Sequence, residues 1–171
     1  MSMLKSIAKF IDAMSIWSGK AVAWLGVVLI LELVYDTVAR YGFNAPTSWS
    51  YDISYMLYGV MFMVGSAYTL LLDEHVRIGV IYDRVTKRTQ AIINIIGYTI
   101  FFFPVMLAIF WYGMEYAVTS WKMMEHAGVS MWSPPIYPFK TIIPLSALLL
   151  LLQGSVDFGR NLMAAVGRGV S

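Results

Sequence analysis

Four stretches of the chain are apolar nearly throughout, over residues 16–38, 49–72, 91–113 and 141–158, and polar residues gather between them. Each is close to the roughly 20 helical residues needed to cross the hydrocarbon core of a bilayer. In lipid, a helix satisfies its own backbone hydrogen bonds, whereas an open strand leaves them bare, so the pattern predicts an all-α membrane protein with four transmembrane helices. Ahead of the first span, Met3, Leu4, Ile7, Phe10, Ile11 and Met14 recur at helical spacing with Lys5, Ser6, Lys9 and Asp12 between them. That pattern predicts a short amphipathic helix over residues 2–15 lying on the membrane surface. The first span exceeds the apolar core of a signal peptide and lacks a small-x-small cleavage site, so it is expected to be retained. Pro104 and Pro144 fall inside spans and are expected to kink them. The third connection, from Met114 to Lys140, carries Ser133-Pro134-Pro135 and Pro138; it is expected to prolong the third helix or lie on the membrane surface. With no repeat or low-complexity segment, residues 1–171 are expected to form one domain.

Composition agrees with the pattern. The chain is 59% hydrophobic and only 13% charged, about half the charged fraction of a soluble domain. It contains no cysteine, which removes disulfides, thiolate catalysis and Cys-ligated metals. A net charge of +2 without a basic block gives no footprint for nucleic acid. The distribution of Lys and Arg sets the expected orientation. Lys5, Lys9, Lys20, Arg77, Arg84, Lys87, Arg88, Arg160 and Arg168 lie on one side of the four spans, and Arg40, Lys122 and Lys140 on the other. Both termini are therefore expected in the cytoplasm. Aromatic residues, among them Tyr41, Trp49, Tyr51, Trp111, Tyr112, Trp121 and Trp132, gather toward the opposite face as an interfacial belt, and so many could also supply a docking surface.

Candidate chemistry is sparse. Asp73, Glu74 and His75 are consecutive, and on a helix successive side chains diverge by about 100° and do not converge on one ion. His75 and His126 are expected on opposite sides of the membrane, so they share no metal, and neither stands mid-span as a haem ligand would. No Ser-His-Asp set or glycine-rich phosphate loop is present, so no enzyme and no cofactor is expected. The sharpest signal is in the first span, where Glu32, Asp36 and Arg40 follow at i, i+4 spacing on one stripe of an apolar helix. An ionised side chain in lipid costs roughly 2.5 to 3.5 kcal/mol at mid-helix, so the stripe must face protein or water. Two readings stand: a proton or ion relay, or a buried polar seam in which Asp36 and Asp52 neutralise Arg40. An acidic pair with an arginine one turn beyond it favours the seam. Thr47 or Ser48 is placed to cap the second helix, and Asp52 to complement its dipole. His75 and Arg77 would hold the following loop against something at the membrane surface.

Three stretches carry a resemblance: ARYGFNAPTSWSYDISYML (39–57), GVMFMVGSAYTLL (59–71) and EHVRIGVIYDRV (74–85), followed by SPPIYPFKTIIPLSALLLLLQ (133–153). In order and spacing they resemble the small membrane subunit, DctQ type, of tripartite ATP-independent periplasmic (TRAP) transporters. Members of that family show an Arg closing the first helix, a Trp and an acid opening the second, and an H-[VI]-R segment after it. Here these are Arg40, Trp49, Asp52 and His75-Val76-Arg77. Gly79 departs from the acidic residue of many relatives, so no carboxylate role carries over there. The resemblance implies a bacterial inner-membrane system importing a small organic anion, such as a carboxylate. A periplasmic binding protein would deliver it, and a large multispan subunit, paired 1:1 with this chain, would carry it by a sodium-driven elevator movement. The small subunit would be the scaffold: Glu32, Asp36, Arg40, Trp49 and Asp52 would form the seam or subunit interface. Trp49 and Trp132 would face the receptor, and His75 and Arg77 would anchor the cytoplasmic loop on the scaffold or on lipid headgroups. The rival reading is an autonomous proton-coupled transporter switched by Glu32.

Overall fold

The computed structural model describes residues 2–72, 86–128 and 130–166, with side chains from residue 6 onward. Helix α1 spans Ser2–Gly42 and α2 spans Ser50–Leu71. Helix α3, Lys87–Gly97, runs through a five-residue π turn at Tyr98–Phe102 into α4, Phe103–Met123. The single turn α5, Tyr137–Lys140, leads into α6, Ile142–Ala165. Among the described residues no strand forms, only an isolated bridge between His126 and Pro135. Ser6–Gly42, Ser50–Leu71, Lys87–Met123 and Tyr137–Ala165 are long and apolar enough to cross a membrane.

Several boundaries differ from the sequence reading, for local reasons. The amphipathic stretch 2–15 and the span 16–38 are one uninterrupted helix of 41 residues, ~60 Å long at 1.5 Å per residue. Ser15 could have ended the first segment, but its hydroxyl is spent on Gln153 of α6 (2.8 Å) instead of on a backbone amide. At α2 the cap position is Trp49, which makes no side-chain cap, and Thr47 donates to Asp36 rather than capping. The span expected at 91–113 extends to Lys87 and Met123, where Met124 enters the left-handed region (φ 48°) and the chain turns. Pro104 has no N–H to give, and the π turn just before it absorbs the irregularity. Pro144 stands in the first turn of α6, where a backbone N–H has no intrahelical acceptor to lose.

Helix α6 is central, packing against α2, α3 and α4 along its length and meeting α1, while α1 otherwise packs along α2. The contacts are made by small residues, with Ala67, Ala91, Ala117 and Ala147 buried. At Gly154 a Cβ would collide with the Phe102 ring, and at Gly59 with that of Phe139, so these glycines set the closeness of the helices. Large apolar side chains point outward instead, including Trp17, Trp24, Phe62, Phe101 and Trp111. Small and polar inside with large and apolar outside is the arrangement a bilayer solvent selects.

Candidate functional site

The polar seam is built by α1 and α2. Glu32 lies on the face of α1 turned to α2, where it is buried. Ser50 and Ser54, one turn apart on α2, both donate to its carboxylate, Ser54 at 2.5 Å. No cation reaches Glu32 among the described ion pairs: Arg40 gives its guanidinium to Asp36 at 2.9 Å. Asp36 also accepts from the Thr47 backbone N–H (3.3 Å) and hydroxyl, which ties the α1–α2 connection to the helix it leaves. Arg40 is half-exposed while Asp36 is largely covered. Trp49 stacks on Tyr35, ring centroids 5.9 Å apart at 23°.

Asp52 takes a different partner from the expected Arg40. It is buried at the start of α2 and accepts from Ser130 in the α4–α5 connection. The Ser130 oxygen in turn accepts from the backbone N–H of Trp132 (3.2 Å) and of Ser133 (3.3 Å). Asp52 thereby fixes the turn that presents Trp132, which remains about half exposed. Trp49 and Trp132 thus belong to two connections at the same end of the bundle. His75 and Arg77 lie outside the described residues.

Two further polar clusters escaped the sequence reading. In the first, Arg160 of α6 bridges Asp12 of α1 and Asp157 (3.0 Å). Gln153, fully buried, donates to Asp12 (3.2 Å) and accepts from Ser15 (2.8 Å). Asn94 of α3 donates to Asn161 of α6 at 2.9 Å on the same end. In the second, buried Lys140 pairs with Glu125 at 2.5 Å and sits 4.0 Å from the centroid of the Tyr116 ring. Ser120 donates to the same Glu125 oxygen (2.8 Å), and the Ile136 N–H to the Glu125 carbonyl (2.9 Å). The Lys140 and Ser120 hydrogen bonds hold the Glu125 carboxyl below its ordinary range. The signal for both clusters was a charged or amide residue within or beside an apolar span, but their partners stand far off in sequence.

Among the described residues, every buried side-chain nitrogen or oxygen has a partner, and no three His, Asp or Glu side chains are placed to hold a metal ion. The arrangement fastens helices to one another: α1 to α2 through Glu32, α2 to the α4–α5 connection through Asp52, and α1 to α6 through Asp12. The family model for the DctQ component of tripartite ATP-independent periplasmic transporters matches residues 11–163, nearly the whole described bundle. No curated protein matches the chain.

Proposed function

The chain belongs to the DctQ family, the small permease component of TRAP transporters, and on that premise we propose that it is the fixed scaffold on which the large permease subunit moves. As a member of that family it is a multi-pass inner-membrane protein that partners with a large permease subunit and a periplasmic binding protein. In the proposed arrangement it stands 1:1 with the large subunit, as one four-helix domain with both termini in the cytoplasm. The system is sodium-driven and imports a small organic anion, a carboxylate by preference. Trp49 and Trp132 face the binding protein, and His75 and Arg77 anchor the cytoplasmic loop.

One observation carries the scaffold reading: among the described residues the buried polar groups are spent on each other, none left over for a substrate or ion. Glu32, Asp36 and Asp52 each hold one helix or connection against the next, as a part that must keep its shape requires. The test is co-expression with the chromosomal neighbours and affinity purification in mild detergent. The chain is expected to copurify one to one with a large multispan protein, and replacement of Arg40 or Asp52 to weaken that recovery. Recovery unchanged by either substitution would remove these residues from the interface.

A second reading keeps one observation in its favour. Glu32 is buried with hydroxyl donors only, and Arg40, which would have compensated it, is engaged by Asp36. An autonomous proton-coupled transporter would use a membrane-buried carboxyl of this kind as its switch. Transport by the purified chain without partners, lost in Glu32→Gln, would establish that reading and end the scaffold one.

A further inference from the structure

The junction of α4 with the start of α6 holds an open groove of about 450 Å³, lined by Met114, Ala117, Val118, Trp121, Lys122 and Thr141. Its volume is within the range of small-ligand sites, about 300 to 1,000 Å³. The walls are apolar because their polar atoms are already paired: the Trp121 indole N–H donates to the Thr141 hydroxyl at 2.9 Å. Met114 and Lys122 are eight residues apart on one helix, so the groove runs ~12 Å along the helix axis. Its end at Met114 is apolar and its loop end, at Lys122, is cationic.

Depth and charge identify what fits. Trp121 packs on Tyr137 (centroids 4.5 Å), an aromatic pair of the kind found at headgroup level. The neighbouring cation, Lys140, is buried and neutralised by Glu125. Lys122 is exposed in the last turn of α4 and takes part in none of the ion pairs among the described residues. Glu115, two turns back toward the midplane, does not line the groove. A free cation at the lip with an apolar trough leading toward the membrane interior repeats the polarity of one phospholipid, phosphate outward and acyl chain inward. The geometry points to this groove as a site for a single anionic phospholipid, its headgroup phosphate on Lys122 Nζ and one acyl chain along Met114, Ala117 and Val118.

The site is tested on the full chain copurified with its large subunit, by native mass spectrometry after exchange into phosphatidylglycerol or phosphatidylcholine micelles. The complex is expected to retain one phosphatidylglycerol in preference to phosphatidylcholine. Lys122→Glu should lower that retention about tenfold, as loss and reversal of a surface cation implies. Val118→Trp, which fills the groove from an exposed position on α4, should lower it for both lipids. Lys20→Glu, an exposed lysine on α1, should leave it unchanged. Equal retention in wild type and Lys122→Glu overturns the assignment whether or not Val118→Trp assembles. So does a photo-crosslinker at position 118 that captures the large subunit, which would make the groove a protein interface.

Discussion

Asp12 and Glu32 are carboxylates on the same helix, about half its length apart, and the bundle treats them in opposite ways. Glu32 receives two hydroxyls from α2 and no cation. Asp12 receives the Arg160 guanidinium, shared with Asp157, and the Gln153 amide. Where a guanidinium is present, two carboxylates and an amide gather into one joint, which ties Asp12 to three residues of α6. Where only hydroxyls are present, the joint stays between consecutive helices. The first arrangement binds α1 to α6 by charge, the second binds α1 to α2 by hydrogen bonding alone. If that difference is real, the two ends must respond differently to the same kind of substitution.

The largest effect is expected at the charged end. Arg160→Ala leaves Asp12 and Asp157 facing each other with no cation, which costs 3 to 5 kcal/mol for a buried pair. The Arg160 side chain is 40% exposed, so solvent relieves part of this and about 2 to 3 kcal/mol is expected. Unfolding in mixed detergent micelles measures the loss. In an Asp12→Asn, Asp157→Asn background the same substitution should cost less than half as much, because no carboxylates remain to be stranded. Equal costs in both backgrounds would mean that Arg160 acts by packing and that the two ends do not differ in kind.

At the hydroxyl end, Glu32→Ala leaves Ser50 and Ser54 without their acceptor, at about 1 to 2 kcal/mol. Glu32→Gln keeps one acceptor oxygen for one serine and offers its amide N–H to the other serine's hydroxyl oxygen, so its cost should stay within ~0.5 kcal/mol. The pair of variants sharpens the comparison. If Glu32→Gln is as damaging as Glu32→Ala, an ionised carboxylate is required after all. If Glu32→Gln is stable and assembles yet abolishes uptake, Glu32 works as a proton site.

A third carboxylate stands between these cases and can be read by pH. Glu125 is held below its ordinary value of 4.5 by the hydrogen bond from Lys140 and then by that from Ser120. A depressed folded pKa means that its contribution is fully present above 4.5 and is lost as pH falls through the folded value. The melting temperature of the purified chain should therefore be flat through neutral pH and decline below about 4.5, and Glu125→Gln should flatten that decline. A decline of equal slope in Glu125→Gln would assign it to the other carboxylates.

The same contrast explains what could be read from the chain. The Glu32, Asp36, Arg40 stripe was legible because i, i+4 spacing places three charges on one face before any fold is known. The four spans were legible because lipid permits few alternatives to an apolar helix. The partners were not. Ser50 and Ser54 are 18 and 22 residues from Glu32, across one hairpin, and as serines at a helix start they resemble caps. Arg160 and Gln153 are 148 and 141 residues from Asp12, and Lys140 counts only as a loop cation until Glu125 is seen beside it. The break expected between the stretch 2–15 and the span 16–38 is not made, and Ser15 at that junction gives its hydroxyl to Gln153 on a helix distant in sequence.

The smallest effect on stability is expected at Arg40, the residue that drew most attention in the sequence. Its side chain is 48% exposed, and its partner Asp36 keeps two donors from Thr47 when the guanidinium is removed. Exposed i, i+4 pairs contribute about 0.3 to 0.5 kcal/mol, so Arg40→Ala should lower stability by no more than that. The same substitution is nonetheless expected to weaken recovery of the large subunit, because a half-exposed guanidinium is available to a partner in a way that buried Glu32 is not. A separation of the two readouts, with stability kept and copurification lost, would make Arg40 an interface residue and leave the seam proper to Glu32, Ser50 and Ser54. Loss of both together would instead return Arg40 to the fold, as part of the joint that holds the α1–α2 connection.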